Sequence, residues 1–167
     1  ARAPAGGGDP AAAADTDPQL YVDEAEHQDF LIRRALEMES AAQAASRMTG
    51  AHADRLAEIL RQHEEAIEGR NFVGGIQHDD AFHHYITTIS HLPRLWNAIA
   101  KSKAPLDRCR HMMLARAGQA EATFEQHREI INALLSRDPD RARAAMGSHL
   151  ERAYRATTTV LEGLGAT

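Results

Sequence analysis

The sequence runs to 167 residues, 43% hydrophobic and 26% charged, which suits one ordinary globular domain and excludes a disordered chain. A formal charge of −5 and a pI near 6.0 come without any basic stripe, so the chain as given is not expected to grip DNA or RNA unaided. The single cysteine, Cys109, excludes an intrachain disulfide and a Cys-rich zinc site, and no apolar run approaches the length of a membrane span.

In chain order, residues 1–19 come first and open with ARAPAGGGDPAAAADTDP. Ala, Gly, Pro and Asp without an apolar period read as a flexible linker or tail. The segment lacks the charged-then-apolar layout of a secretory signal, so a cytoplasmic protein is expected. Because the chain begins at Ala1 rather than Met, it reads as a fragment or processed product with something further upstream.

Residues 20–167 read as helix almost throughout, rich in Ala, Leu, Glu, Arg and Gln. Leu31, Ala35, Met38, Ala42 and Ala45 step by 4, 3, 4 and 3, an apolar stripe on a first helix that Thr49-Gly50 ends. A second helix, over about 52–69, carries Leu56, Ile59, Leu60 and Ile67 and stops at Gly69. A third covers about 73–91, and Pro93 opens a fourth as its first-turn proline. Lys103-Ala104-Pro105 predicts a break in that fourth helix. A fifth covers about 118–136, and Asp138-Pro139 starts the last, with Asp as N-cap. The expected fold is all-α: an antiparallel bundle of six or seven helices.

Ten histidines are many for this length, and their facing separates them. Phe72, Ile76, Asp79, His83 and Ile86 share one face of the third helix, so Asp79 and His83 interrupt an apolar stripe. His127 does the same among Phe124, Ile131 and Leu134, and His149 among Ala142, Met146, Ala153, Ala156 and Val160. One inward histidine is usually a hydrogen-bonded core residue, and an Asp–His pair four apart is often a plain ion pair. Three inward histidines on three helices, with a carboxylate, point further, because a buried carboxylate needs a partner or a cation. Imidazoles plus one carboxylate suit a first-row divalent metal: Zn foremost, with Ni, Mn or Fe as alternatives. His84 and His91 fall on the polar face of the third helix, and His27, His52, His63, His78 and His111 read as solvated or core-rim residues. A di-iron pattern, a His-Glu-x-x-His, a phosphate loop and a Gly-x-Ser-x-Gly are all missing.

Asp79-Asp80-Ala81-Phe82-His83 followed by His84-Tyr85-Ile86 resembles the Asp-x-x-Phe-His-x-x-Ile segment of the FCD (FadR C-terminal) effector domain of GntR-type bacterial transcription regulators. His127 through Leu134 is similar to that family's His-x-x-Ile-x-x-Ala-Ile stretch. Asp138 through Ala145 and Met146-Gly147-Ser148-His149-Leu150 resemble its ending, and Ile32 through Glu37 its opening Val-Arg-x-x-Leu-Glu. The family often carries Ser-Gly-Asn after its third helix, where this chain has Ser90-His91-Leu92.

The resemblance implies one metal held by Asp79, His83, His127 and His149, the four residues that the periodicity singles out, and it implies a homodimer. The expected function is a metal-dependent sensor of a small carboxylate that signals to an N-terminal winged helix, itself missing from this chain. DNA would then be reached only through that missing domain. An arginine is expected to pair the effector's remaining charge, with Arg33 and Arg110 as candidates, although both also suit helix-surface pairs. The rival expectation is a helical-bundle metalloenzyme, which lacks a convincing general base, so the reading is not an enzyme. A bundle whose metal only staples helices is a third.

Overall fold

The computed structural model describes the backbone of residues 18–114 and 118–165, and the side chains of residues 24–104 and 118–159. Six helices follow one another: α1 (Pro18–Arg47), α2 (Gly50–Glu68), α3 (Phe72–Ile89), α4 (Pro93–Leu114), α5 (Gln119–Leu135) and α6 (Pro139–Gly165). No strand occurs among the described residues, so the all-α bundle is as expected. Residues 1–17 of the expected linker lie outside the described residues, and Pro18 already belongs to α1. No helix among the described residues is long and apolar enough to cross a membrane.

The helix ends follow local chemistry. Thr49 Oγ1 accepts from the His52 N–H at 3.3 Å, and Asn71 Oδ1 from the Gly74 N–H at 3.0 Å, capping α2 and α3. Asp138 Oδ1 accepts from the N–H groups of Asp140 and Arg141 at 3.0 and 3.1 Å, the cap expected for α6. Arg70, His91 and Arg137 follow α2, α3 and α5 with φ of 52°, 61° and 56°. These are left-handed positions that glycine usually fills. After α3 the Leu92 N–H reaches the Thr87 carbonyl at 3.3 Å and the His91 N–H the Thr88 carbonyl at 3.1 Å, so the terminal carbonyls are satisfied without glycine.

Two expectations are corrected. The break at Lys103-Ala104-Pro105 does not occur: α4 runs through to Leu114, and the described residues form six helices, within the six or seven expected. A proline withholds a single N–H, while the turns on either side keep theirs. Buried Lys103 also ties this stretch to α3 through a 2.9 Å ion pair with Asp80. The second correction concerns the face of α1. Leu31 and Ala35 are exposed, while Ala42 and Ala45 of the expected stripe are buried beside Phe30, Arg33, Glu37, Ala41, Ala44 and Met48. Two charged residues, Arg33 and Glu37, therefore share the buried face of α1.

The width of that face matters because α1 packs against α3, α4, α5 and α6. Ala41, Ala44 and Ala45 are fully buried, and such small side chains let neighbouring helices approach closely. Gly147 does the same from α6, since a Cβ there would stand 3.1 Å from Met38 Sδ. The apolar core of Leu56, Ile59, Phe82, Ile86, Ile130, Leu134 and Met146 completes a frame around the inward ends of α3, α5 and α6.

Candidate metal centre

The frame brings four buried polar side chains to one point: Asp79 and His83 from α3, His127 from α5 and His149 from α6. Each offers one ligand atom, and these atoms all lie within 4.8 Å of one another. Asp79 Oδ1 stands 3.3 Å from His127 Nε2, and Asp79 Oδ2 stands 4.0 Å from His83 Nε2. His83 Nε2 and His149 Nε2 face each other at 3.3 Å. Ligand bonds of about 2.0–2.2 Å to a common ion put donor atoms roughly 3–4 Å apart, so these separations fit.

The outer ring nitrogens explain why Nε2 faces inward. His149 Nδ1 is paired with Gln126 Oε1 at 2.9 Å. His83 Nδ1 makes a short contact with Glu37 Oε2, and Glu37 Oε1 accepts from Arg33 Nε at 2.6 Å. An Nδ1–H donated to an acceptor leaves Nε2 bare, oriented and more basic, the arrangement found around metal-bound imidazoles. Two bare nitrogens facing at 3.3 Å repel unless a proton or a cation lies between them. Phe82 stacks on the His127 ring, centroids 4.2 Å apart, and fixes its plane from the apolar side.

Electrostatics favour the same state. Burial pushes the His149 imidazole well below its usual pKa, and the nearby His127 and His83 add repulsion, so it is a neutral base at neutral pH. Burial alone would raise the Glu37 carboxyl. The charge and hydrogen bonds of His83 and Arg33 outweigh that and hold it well below the carboxylate range. Glu37 is thus an anion 2% exposed, supported by two donors.

A cavity of about 280 Å³ opens beside the cluster. Its walls include Asp79 and His149 together with Arg33, His63, Phe30 and Tyr154, the last two stacked at 4.2 Å. Of the two candidate arginines, Arg33 lines this cavity, and the Arg110 side chain lies outside the described residues. His63, expected at the rim or in solvent, is instead 2% exposed and lines the cavity, because it continues the Leu56/Ile59 face of α2. His84 is exposed, as expected, and stacks on Trp96 with centroids 4.9 Å apart. Sequence reasoning missed Glu37 and Gln126. Glu37 carries a visible signal, the i, i+4 spacing to Arg33, but it is not a member of the apolar stripe read on α1.

The FCD domain family matches residues 30–152 of the chain. The HTH-type transcriptional repressor RspR of Escherichia coli K12 is 35% identical over 120 residues, which cover 72% of this chain and 53% of that protein. An uncharacterized HTH-type transcriptional regulator of Streptomyces ambofaciens is 31% identical over 96 residues, covering 58% of this chain and 39% of its own length. The chain thus spans about half or less of the curated relatives it matches. Among solved structures, E. coli McbR/YncC superposes with a TM-score of 0.73 at 18% identity, over 86% of this chain and 66% of that one. Streptococcus agalactiae GntR gives 0.62 at 24% identity, over 86% and 63%. At these identities the structural likeness speaks for the fold.

Proposed function

The chain belongs to the FCD domain family, and from that premise we propose that it is the metal-dependent, carboxylate-sensing domain of a GntR-type transcription regulator. The observation that carries this reading is that Asp79 and His149 belong at once to the four-ligand cluster and to the cavity wall that also holds Arg33. Asp79, His83, His127 and His149 are the ligands in this reading, and Zn is the expected ion, with Ni, Mn or Fe as alternatives. A divalent ion so held supplies an electrophilic anchor for a carboxylate. Arg33 pairs a second charge of the same effector by charge-assisted hydrogen bonds. Phe30 and Tyr154 offer the apolar part of the effector a dry wall.

The regulatory step is a shift in population. An effector that binds one arrangement of α1, α3 and α6 more tightly than another biases the bundle by that difference in affinity. In this reading the bundle belongs to a cytoplasmic homodimer, and DNA is contacted by a winged helix upstream. A charge of −5 on this chain agrees with that division of labour. The chain's relatives are named as transcription regulators, so chemistry on the effector is not expected.

A thermal-shift screen of small di- and hydroxy-carboxylates on the zinc-loaded protein tests the reading. A ligand of the folded state raises the melting temperature with the logarithm of its concentration. The shift is expected to vanish after metal removal, and the acid is expected back unchanged. A shift that survives metal removal contradicts chelation.

A further inference from the structure

We propose that Glu37 is the positioning residue of this centre: it holds His83 with Nδ1 protonated and Nε2 turned toward Asp79 and His149, and through Arg33 it links that ring to the cavity. The proposal rests on the metal reading above but adds a residue outside the four-ligand set. Glu37 comes from α1, whereas no ligand does. Its Oε2 takes His83 Nδ1 and its Oε1 takes Arg33 Nε at 2.6 Å, with all three side chains buried. Both neighbours are donors, so both oxygens must accept. A carboxylate does this, while a glutamine offers a single acceptor oxygen and must turn its NH₂ toward one of the two.

The pairing also has mechanical consequences. An imidazole pinned at Nδ1 cannot flip about its Cβ–Cγ bond, so Nε2 stays aimed at the cluster. A buried carboxylate that loses a partner is costly, which keeps Arg33 and His83 in register with each other. Since Arg33 lines the cavity, an anion that draws on its guanidinium acts on Glu37, and Glu37 acts on His83. Sensing and ligand geometry then share one chain of contacts. Gln126 offers a parallel to this on α5, because it pairs with His149 Nδ1 and also lines the cavity.

The test uses long-range ¹H–¹⁵N spectra of the histidine rings in the wild-type protein, before and after zinc, with His83 assigned through His83→Asn. The expected result is a protonated Nδ1 on His83 in both states, and a bare Nδ1 would overturn the proposal. Cobalt(II) is then titrated against a competing chelator into wild type and Glu37→Gln. The variant should bind cobalt about 10–100-fold more weakly, with a changed visible spectrum and wild-type helicity. Equal affinity with an unchanged spectrum would overturn the proposal. If wild type takes up neither cobalt nor zinc, the metal reading fails, and the ring spectrum still decides whether Glu37 fixes His83. If Glu37→Gln does not fold, the wild-type spectrum decides alone.

Discussion

His83 Nε2 and His149 Nε2 face each other across 3.3 Å, with each ring held from behind by an acceptor on another helix. Without a cation, that approach sets two ring nitrogens against each other in a buried site. With one, the two nitrogens become ligands on adjacent corners of a site completed by Asp79 and His127.

His127→Ala and His149→Ala should each weaken metal binding by more than the roughly 10–100-fold that losing an outer-shell partner costs. His84→Ala should leave it unchanged, because His84 is exposed and stacks on Trp96 away from the cluster. Calorimetric titration of the three variants checks this. Equal losses in all three would contradict the assignment of faces on α3.

The metal-free protein should lose stability as the pH falls through about 6.5. His149 has a folded pKa well below its ordinary 6.5, so in that window the unfolded chain takes up a proton that the folded chain does not. Stability then rises with pH, and the His149 contribution is complete above the unfolded value. Glu37 acts lower on the scale. Its folded pKa is also depressed, so its contribution is present above the ordinary 4.5 and is lost as the pH falls toward the folded value. Melting curves of EDTA-treated protein between pH 8 and 5 read the first effect. A melting temperature that stays level or rises on acidification would contradict it.

His91→Gly should stabilise the protein by about 0.5–1 kcal/mol. His91 is exposed and sits at φ 61°, where a Cβ is strained and glycine is not. The gain is reduced by glycine's greater freedom in the unfolded chain. Urea denaturation measures it, and a loss of stability would show that the His91 ring makes a contact worth more than the strain.

Much of this was legible from periodicity. On the buried faces of α3, α5 and α6 the described ionisable side chains are Asp79, His83, His127 and His149, so these four stand out against residues that are otherwise apolar or, at Thr87 and Thr157, hydroxyl-bearing. The caps at Thr49 and Asp138 were equally visible, because an N-cap is local chemistry. On α1 the expected stripe holds at Ala42 and Ala45 and fails at Leu31 and Ala35. The helix touches four others, so its buried face is wide, and Arg33 and Glu37 lie on it as a mutually compensating pair. A count of apolar residues scores such a pair as surface. His63 was misread for a related reason: its inward position was apparent, but the cavity it lines is made by α1, α5 and α6, and no local pattern reports that. Pro105 shows the opposite limit, where a strong local breaker yields to the packing of α4 on its neighbours.

Whether Asp79, His83, His127 and His149 hold one metal ion is read by zinc titration into chelator-stripped protein. Saturation at one ion per chain, a marked rise in melting temperature, and loss of both in Asp79→Ala are expected. The protein should also retain metal through mild purification, as elemental analysis would read. A stripped protein that binds none of Zn, Ni, Mn or Fe and gains no thermal stability from them would contradict it, as would an Asp79→Ala variant that titrates like wild type.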